Sequence, residues 1–472
     1  MLNPKNFTRH LLLIFLAAAA CRLAPLLILG PQAEPDTASY MQVAATLAET
    51  GNFSKPDLVS GEQTPYAYRM PLFHVMIAGL IKIFGPEAAW PLAAANLLLS
   101  VLTVMSAVLF FYVLSGPETA LAAGYLAALN PNAVFNSLLL LNDSLFAFFS
   151  ALMLLAGLWA LKRRTGAVFF LWGVSIGLCS MVRPIMKFYW AAPLLLVLTP
   201  FFRAAIKEKA RLALLCALGA AAILLPWSLR NRHELGFFGL ELNQGVNTLW
   251  STSDLVKPST PEEYRADPRL AQMRDITAAS PSPLDAEDNI RKVMRLSMPE
   301  VSAGMTRIGT ETILRNPLKF FIRVLRNLIN ITTSPNSVME LAGRLGGKGP
   351  NYFPDIRTAL KGGYWTAIAV NLGPRLVLFA LCWILAPMGA LLLWRGAGED
   401  GKIKLLLPVS LIFYTLLLTP LVAGYDRYRL PLDPLLLGFA AAWLLAKLTR
   451  GPARPQVSVR SEPGAENENS SH

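Results

Sequence analysis

The sequence predicts an all-α polytopic integral membrane protein with about ten transmembrane helices, amphipathic interfacial helices in its first outer loop and one large extracytoplasmic loop. Three observations predict it. Charged residues make up only 15% of the 472 residues and hydrophobic ones 54%, whereas a soluble domain carries about 25% charged residues. Apolar runs such as 11–30, 90–114, 146–161 and 212–229 each approach the ~20 residues that carry a helix across ~30 Å of hydrocarbon. These runs are rich in Leu, Ala and Phe without strict alternation, which suits helices that satisfy their own backbone rather than barrel strands.

The basic residues orient the spans. Lys and Arg gather at Lys5 and Arg9, at 162–164, 203–211, 395–404 and 447–454, and such clusters mark the cytoplasmic side. With all of them inside, the chain threads through spans near 11–30, 88–114, 119–137, 144–161, 166–182, 187–202, 211–229, 374–394, 403–422 and 430–448 without a parity error. This threading requires that the short apolar stretch 71–85 lies at or partly in the interface and does not cross. The first run has no small-residue cleavage site and is followed by many spans, so it reads as a retained helix rather than a signal peptide.

The chain then divides into an N-terminal membrane module, 1–229, with an outer loop at 31–87; an extracytoplasmic loop, 230–373, carrying an interfacial helix; C-terminal transmembrane helices, 374–450; and a polar tail, 451–472, expected to be a disordered cytoplasmic segment. Within the large loop, 312–331 has Ile313, Leu314, Phe321 and Leu325 on one face and Arg315, Lys319, Arg323 and Arg326 on another, the pattern of a helix riding a membrane surface. The stretch 258–283 is polar and Pro-rich and reads as a loose excursion.

The net charge of +13 does not point to nucleic acid, because the cations flank apolar spans instead of sharing one soluble face. The four cysteines, Cys21, Cys179, Cys216 and Cys382, all fall in apolar runs without paired spacing; neither a disulfide framework nor a metal site is indicated.

Unusual polar residues concentrate in the segments placed outside. Asp36 follows a proline and opens a helical pattern ending at Gly51, where it can serve as an N-cap or as a chemical acid; Tyr40, Val43, Ala44 and Leu47 share one face suited to lying on the membrane. Arg69 and His74 flank the start of the 71–85 stretch, where they can grip a lipid phosphate or anchor the interface. Asp143, in Asn142-Asp143-Ser144 between two spans, can cap the next helix or supply a second carboxylate beside Asp36. Arg183 ends a span with Lys187 a turn on, and Arg427 and Arg429 interleave with Tyr425 and Tyr428 between the last two spans. Arginines there meet anions, either a bound phosphate or, within the chain, Asp426 paired with Arg427 or Arg183.

These motifs, taken in order, resemble the C-type glycosyltransferases, specifically the bacterial family 39 group that includes protein mannosyltransferases and the lipid A aminoarabinose transferase. The resemblance rests on Asp36-x-x-x-Tyr40, Arg69-Met70-Pro71-Leu72, Asn130-Pro131 with Leu141-Asn142-Asp143, Arg183-Pro184, Pro226-Trp227-Ser228-Leu229-Arg230-Asn231 and Arg427-Tyr428-Arg429-Leu430-Pro431. Met70 replaces the first family proline, and Phe73-His74 stands where many members have a tyrosine. The resemblance implies the C-type glycosyltransferase fold and a multi-pass enzyme of the cell inner membrane with its site facing the periplasm. It makes 1–229 the catalytic module, Asp36 the catalytic base and Asp143 the second acid, with Tyr40, Arg69, His74, Arg183, Arg427, Tyr428 and Arg429 binding substrate. The implied reaction moves a sugar, with inversion, from an undecaprenyl-phosphate-type polyprenyl donor to a glycan, lipid or protein hydroxyl. Some superfamily members use a divalent metal beside the acids and others do not; the sequence has no metal-ligand spacing, and no cofactor is assigned. Two other classes fit less well. A lipid-linked glycan polymerase or ligase is disfavoured by the acidic first-loop motif. A lipid or solute transporter calls for ionisable residues at mid-membrane and internal repeats.

Overall fold

The computed structural model describes residues 4–57, 61–347, 361–362 and 365–449. The tail expected at 451–472 lies outside the described residues. Among those described the fold is all-α apart from a short antiparallel hairpin, Ser54–Pro56 with Gln63–Pro65. Among the described residues six helices are long and apolar enough to cross a bilayer: Lys5–Leu29, Ala89–Ser115, Asp143–Arg163, Ile206–Leu235, Asn371–Gly396 and Glu399–Leu421. Gly166–Ser180 and Pro184–Leu198 are shorter apolar segments, and Asp433–Thr449 packs among the long helices. The protein is an all-α, multi-pass membrane protein.

Two of the expected spans are not continuous. In place of one helix over 119–137 the structure has Pro117–Ala128 and Pro131–Leu138. Pro131 has no N–H to donate, and it holds Asn130 in extended backbone. The break exposes carbonyls in an apolar setting where unpaired groups are costly. Arg22, fully buried, meets them: Nη1 donates to the Ala128 carbonyl at 2.9 Å and Nη2 to that of Ala127 at 3.5 Å, while Nε donates to Ser100 Oγ at 2.7 Å. The expected span 187–202 likewise resolves into a 3-10 turn, Pro184–Phe188, and a helix, Ala191–Leu198.

Small residues let backbones approach where helices are short. A Cβ on Gly173 would lie 1.8 Å from the Cys216 carbonyl oxygen, so Gly166–Ser180 and Ile206–Leu235 pack backbone to backbone.

The bundle has two polar ends. At one, Arg164 pairs with Asp400 at 2.8 Å and Arg203 with Glu399 at 2.6 Å, joining three of the sequence's basic clusters. At the other, the Gln32 amide donates to the Leu138 carbonyl and the Leu140 amide to that of Gln32, which seats the chain before Asp36 against the turn before Asp143. The helix Pro71–Phe84 begins at this second end, with Leu72 N–H on the Met181 carbonyl. It is followed by Trp90, whose ring a Cβ on Gly30 would touch at 3.9 Å. Its 14 residues span about 21 Å.

Above this end sits a second hydrophobic core, where Val43, Tyr66 and Tyr68 of the first outer loop meet Val246, Leu249, Ile290, Met305 and Ile308 of the large loop. Three expectations change here. The stretch 258–283 is not a loose excursion but helices Pro261–Ala266 and Pro268–Ala279, each with proline at its first position and a side-chain cap, Thr260 to the Glu263 amide and Asp267 to the Leu270 amide. The face of Pro35–Thr50 carrying Tyr40, Val43 and Ala44 is buried against protein rather than laid on lipid. The amphipathic helix over 312–331 is divided at Pro317, with Pro317–Thr333 exposing Leu318, Phe321, Ile322, Leu325 and Ile329.

Candidate active site

Asp36 is the second residue of the helix Pro35–Thr50, whose N-cap is Glu34, not Asp36. Freed from capping, its Oδ1 accepts from Arg69 Nη2 at 2.7 Å, and the Asp36 side chain stays 32% exposed. Tyr40 lies one helical turn on, so it shares Asp36's face. Its hydroxyl accepts from Arg69 Nη1 at 3.2 Å, and the guanidinium sits 4.9 Å from its ring centre. Burial works against the charge on Arg69, but Tyr40 and Asp36 outweigh it and hold the group above the ordinary arginine value.

The second acid is placed by a different device. Asn142 takes the N-cap position and Asp143 the first position of Asp143–Arg163. The turn before it is fixed by Asn96 Nδ2, which donates to the Leu139 and Leu141 carbonyls at 2.8 and 3.1 Å, and by Asn142 Nδ2, which donates to the Val182 carbonyl at 3.1 Å. Arg183 donates through Nη2 to Asp143 Oδ1 at 2.5 Å and through Nε and Nη2 to Asn142 Oδ1 at 3.3 and 3.2 Å. Asp143 is only 1% exposed, and its Oδ2 is buried without a hydrogen bond among the described residues.

A third arginine joins them from the other end of the sequence. Arg427 lies on a 3-10 turn, Asp426–Arg429, beside the rings of Tyr425 and Tyr428 at 5.6 and 5.5 Å. No carboxylate among the described residues lies within ion-pair distance of Arg427, and its Nε is buried without a partner. Arg183 faces the same Tyr428 ring at 5.1 Å. Asp36, Tyr40, Arg69, Asp143, Arg183, Arg427 and Tyr428 all line one cavity of about 1600 Å³ at this end of the bundle.

Two residues expected in the substrate site are elsewhere. His74 is fully buried beneath it, its Nδ1 on the Met70 carbonyl at 2.9 Å and its ring among Tyr40, Phe53 and Tyr66; it supports the site from behind. Arg429 is turned into the protein, where Nε binds Asp433 Oδ1 at 2.6 Å and Nη1 donates to the Ile331 and Thr332 carbonyls near the end of Pro317–Thr333. Its charge closes a helix end and is not offered to a ligand. Asp426, weighed as an internal partner for Arg427 or Arg183, instead accepts from the Ser337 amide at 2.7 Å.

The cavity also holds charged residues that the sequence reading did not single out. Glu241 and Arg375 line it, beside Lys187, the lysine already noted after Arg183. Glu241 stands between two leucines in a long loop containing many other acids, so its spacing carries no distinguishing signal. Among the described residues no group of three or more His, Cys, Asp or Glu side chains is placed to hold a metal ion, and Asp36 and Asp143 each commit an oxygen to an arginine.

Residues 65–229 match the model of the dolichyl-phosphate-mannose-protein mannosyltransferase family. Among solved structures, the chain is similar to the oligosaccharyltransferase of Archaeoglobus fulgidus tethered to an acceptor peptide, with 14% identity and a TM-score of 0.52, covering 95% of this chain and 50% of that one. The apo form of the same enzyme gives 14% identity, a TM-score of 0.51 and coverages of 94% and 50%. ArnT from Cupriavidus metallidurans bound to undecaprenyl phosphate aligns with 14% identity over 93% of this chain and 77% of that one, at a TM-score of 0.37. The chain spans about half the length of the archaeal structures it matches. No curated protein sequence matches it. Over residues 65–229 the chain is thus similar to that mannosyltransferase family, and its fold is like that of the archaeal oligosaccharyltransferase.

Proposed function

We propose that this protein transfers a sugar from a polyprenyl-phosphate carrier to a hydroxyl acceptor, in the cell inner membrane and on its outer face. The observation that carries the reading is the convergence of Asp36 and Asp143 with Arg69, Arg183 and Arg427 on one cavity at one end of the bundle. The matched family is described by a lipid-phosphate-linked mannose, and the matched segment contains Arg69, Asp143 and Arg183.

Arg427, without a carboxylate partner, is the first seat for the donor phosphate, and Arg69 and Arg183 are close enough to the cavity to share it. A phosphate arriving at Arg69 competes with Asp36 for the same guanidinium, so donor binding loosens the carboxylate that the reaction needs. The acceptor hydroxyl then attacks the anomeric carbon. The new C–O bond forms as the bond to the phosphate oxygen breaks, the hydroxyl proton passes to Asp36, and polyprenyl phosphate leaves with its developing charge held by the arginines. A single displacement of this kind inverts the anomeric centre. Asp143, buried and tied to Arg183, positions that arginine.

The test is Asp36→Asn in membranes supplied with a polyprenyl-phosphate-linked sugar. Loss of a general base lowers transfer about 10²–10⁴-fold; undiminished transfer by a stably inserted variant removes Asp36 from the mechanism. Labelling of a cysteine at position 36 from the periplasmic side tests the orientation, and access from the cytoplasm alone overturns it.

A further inference from the structure

We infer that Glu241 is a sugar-binding residue of this cavity, hydrogen-bonding the hydroxyls of the donor's sugar beside the phosphate; this rests on the reading of the site as one for a lipid-phosphate sugar. Glu241 lines the cavity, yet among the described residues nothing donates a hydrogen bond to it and no cation pairs with it. Asp36 and Asp143, by contrast, both hold an arginine.

The loop that carries Glu241 is pinned on either side. Trp227 Nε1 donates to the Leu240 carbonyl at 2.8 Å, Asn231 Nδ2 to the Gly239 carbonyl at 2.8 Å, and the Leu242 amide to the Ala67 carbonyl at 2.9 Å. Arg230 draws the first outer loop to the same place, Nη1 on the Tyr66 carbonyl at 2.9 Å and Nη2 on that of Phe53 at 2.8 Å. The motif Pro226-Trp227-Ser228-Leu229-Arg230-Asn231 thus contributes no side chain to the cavity wall; it fixes the backbone on which Glu241 is presented. A carboxyl held rigidly in a cavity without a partner is an arrangement that a ligand's donors complete.

Charge decides which ligand group that is. Lys187 and Arg69 are the cations whose fields reach Glu241. A cationic ligand group there would meet both, and a phosphate would meet the carboxylate itself. A neutral polyol next to an arginine-bound phosphate meets neither repulsion. Burial also lifts the carboxyl to about 7 against the pull of those cations, and either protonation state can engage hydroxyls.

The experiment measures binding of polyprenyl-phosphate mannose and of bare polyprenyl phosphate to the full-length protein in nanodiscs. The wild type is expected to bind the sugar-bearing lipid more tightly. Glu241→Ala is expected to lose that margin by about tenfold or more, as for hydrogen bonds to a charged group, while holding the bare lipid as well as the wild type does. Glu241→Gln keeps the shape and part of the hydrogen bonding and is expected to retain part of the margin. If neither lipid binds the wild type, the lipid-phosphate reading itself fails. If the bare lipid binds but the wild type shows no margin, or Glu241→Ala keeps it, the assignment of Glu241 is overturned.

Discussion

The cavity contains the same ion pair twice, in two settings. Asp36–Arg69 leaves its side chains 32% and 21% exposed, whereas in Asp143–Arg183 the acid is 1% and the arginine 14% exposed. Asp36 stands near the mouth of a helix that packs on the outer loop; Asp143 opens a membrane-crossing helix and is locked by Asn142 and Asn96. A partly exposed pair has little net energy and can exchange partners, while a buried one holds its members because neither can return to water. On the proposed mechanism, the exposed Asp–Arg motif is the working pair and the buried one its frame. The largest expected effect falls on the frame. Asp143→Ala leaves Arg183 buried and unpaired and should destabilise the protein by about 3–5 kcal/mol, read as a fall in the thermal melting of the purified protein. A melting temperature within a degree of wild type would mean that the two pairs do not differ in kind.

Arg427 sharpens the contrast because it belongs to neither pair. If it is the free seat for phosphate, Arg427→Ala should weaken binding of polyprenyl phosphate by about 10–100-fold, the range for a charge-assisted hydrogen bond, with melting little changed. Unaltered affinity would move the phosphate to Arg69, Arg183 or Arg375. A smaller effect is expected from Tyr40→Phe, which removes the hydroxyl that steadies Arg69 and leaves the ring beneath the guanidinium. It should reduce the transfer rate by a factor of about ten at most, since a neutral hydrogen bond contributes about 0.5–1.5 kcal/mol.

Much of this arrangement is legible in the sequence, for a definite reason. Asp36, Arg69, Asp143, Arg183 and Arg427 are ionisable residues at the ends of apolar runs, where lipid leaves few other places for charge. What is not legible is the direction in which each side chain points. Arg427 and Arg429 are two residues apart on a 3-10 turn, hence pointing about 120° apart around its axis, and only the folded chain shows that one faces the cavity and the other a helix end. His74 reads as an interfacial donor but lies on the buried side of its helix. The polar stretch 258–283 conceals helices because its few apolar residues are enough only when they meet a core built from the first outer loop. The apolar run 119–137 hides a break, since Pro131 reads as a kink unless Arg22, more than a hundred residues earlier, is seen to satisfy the carbonyls it releases.

The smallest effect is also the one whose sign separates the two pairs most cleanly. Asp36→Asn removes the charge from a partly exposed pair, and its effect on melting should stay within about 1 kcal/mol. The consequence for ligand binding runs the other way from an ordinary site mutation. If the donor phosphate displaces Asp36 from Arg69, removing the competing carboxylate leaves Arg69 free for the phosphate, and Asp36→Asn should bind polyprenyl phosphate as tightly as the wild type or more so while losing transfer. Asp143→Asn removes the anion that orients Arg183 and should bind the same lipid more weakly. Titration of both variants with polyprenyl phosphate at equal ionic strength reads the two signs directly. Weakened binding in Asp36→Asn would mean that the exposed pair is as fixed as the buried one, and that no exchange at Arg69 prepares the base.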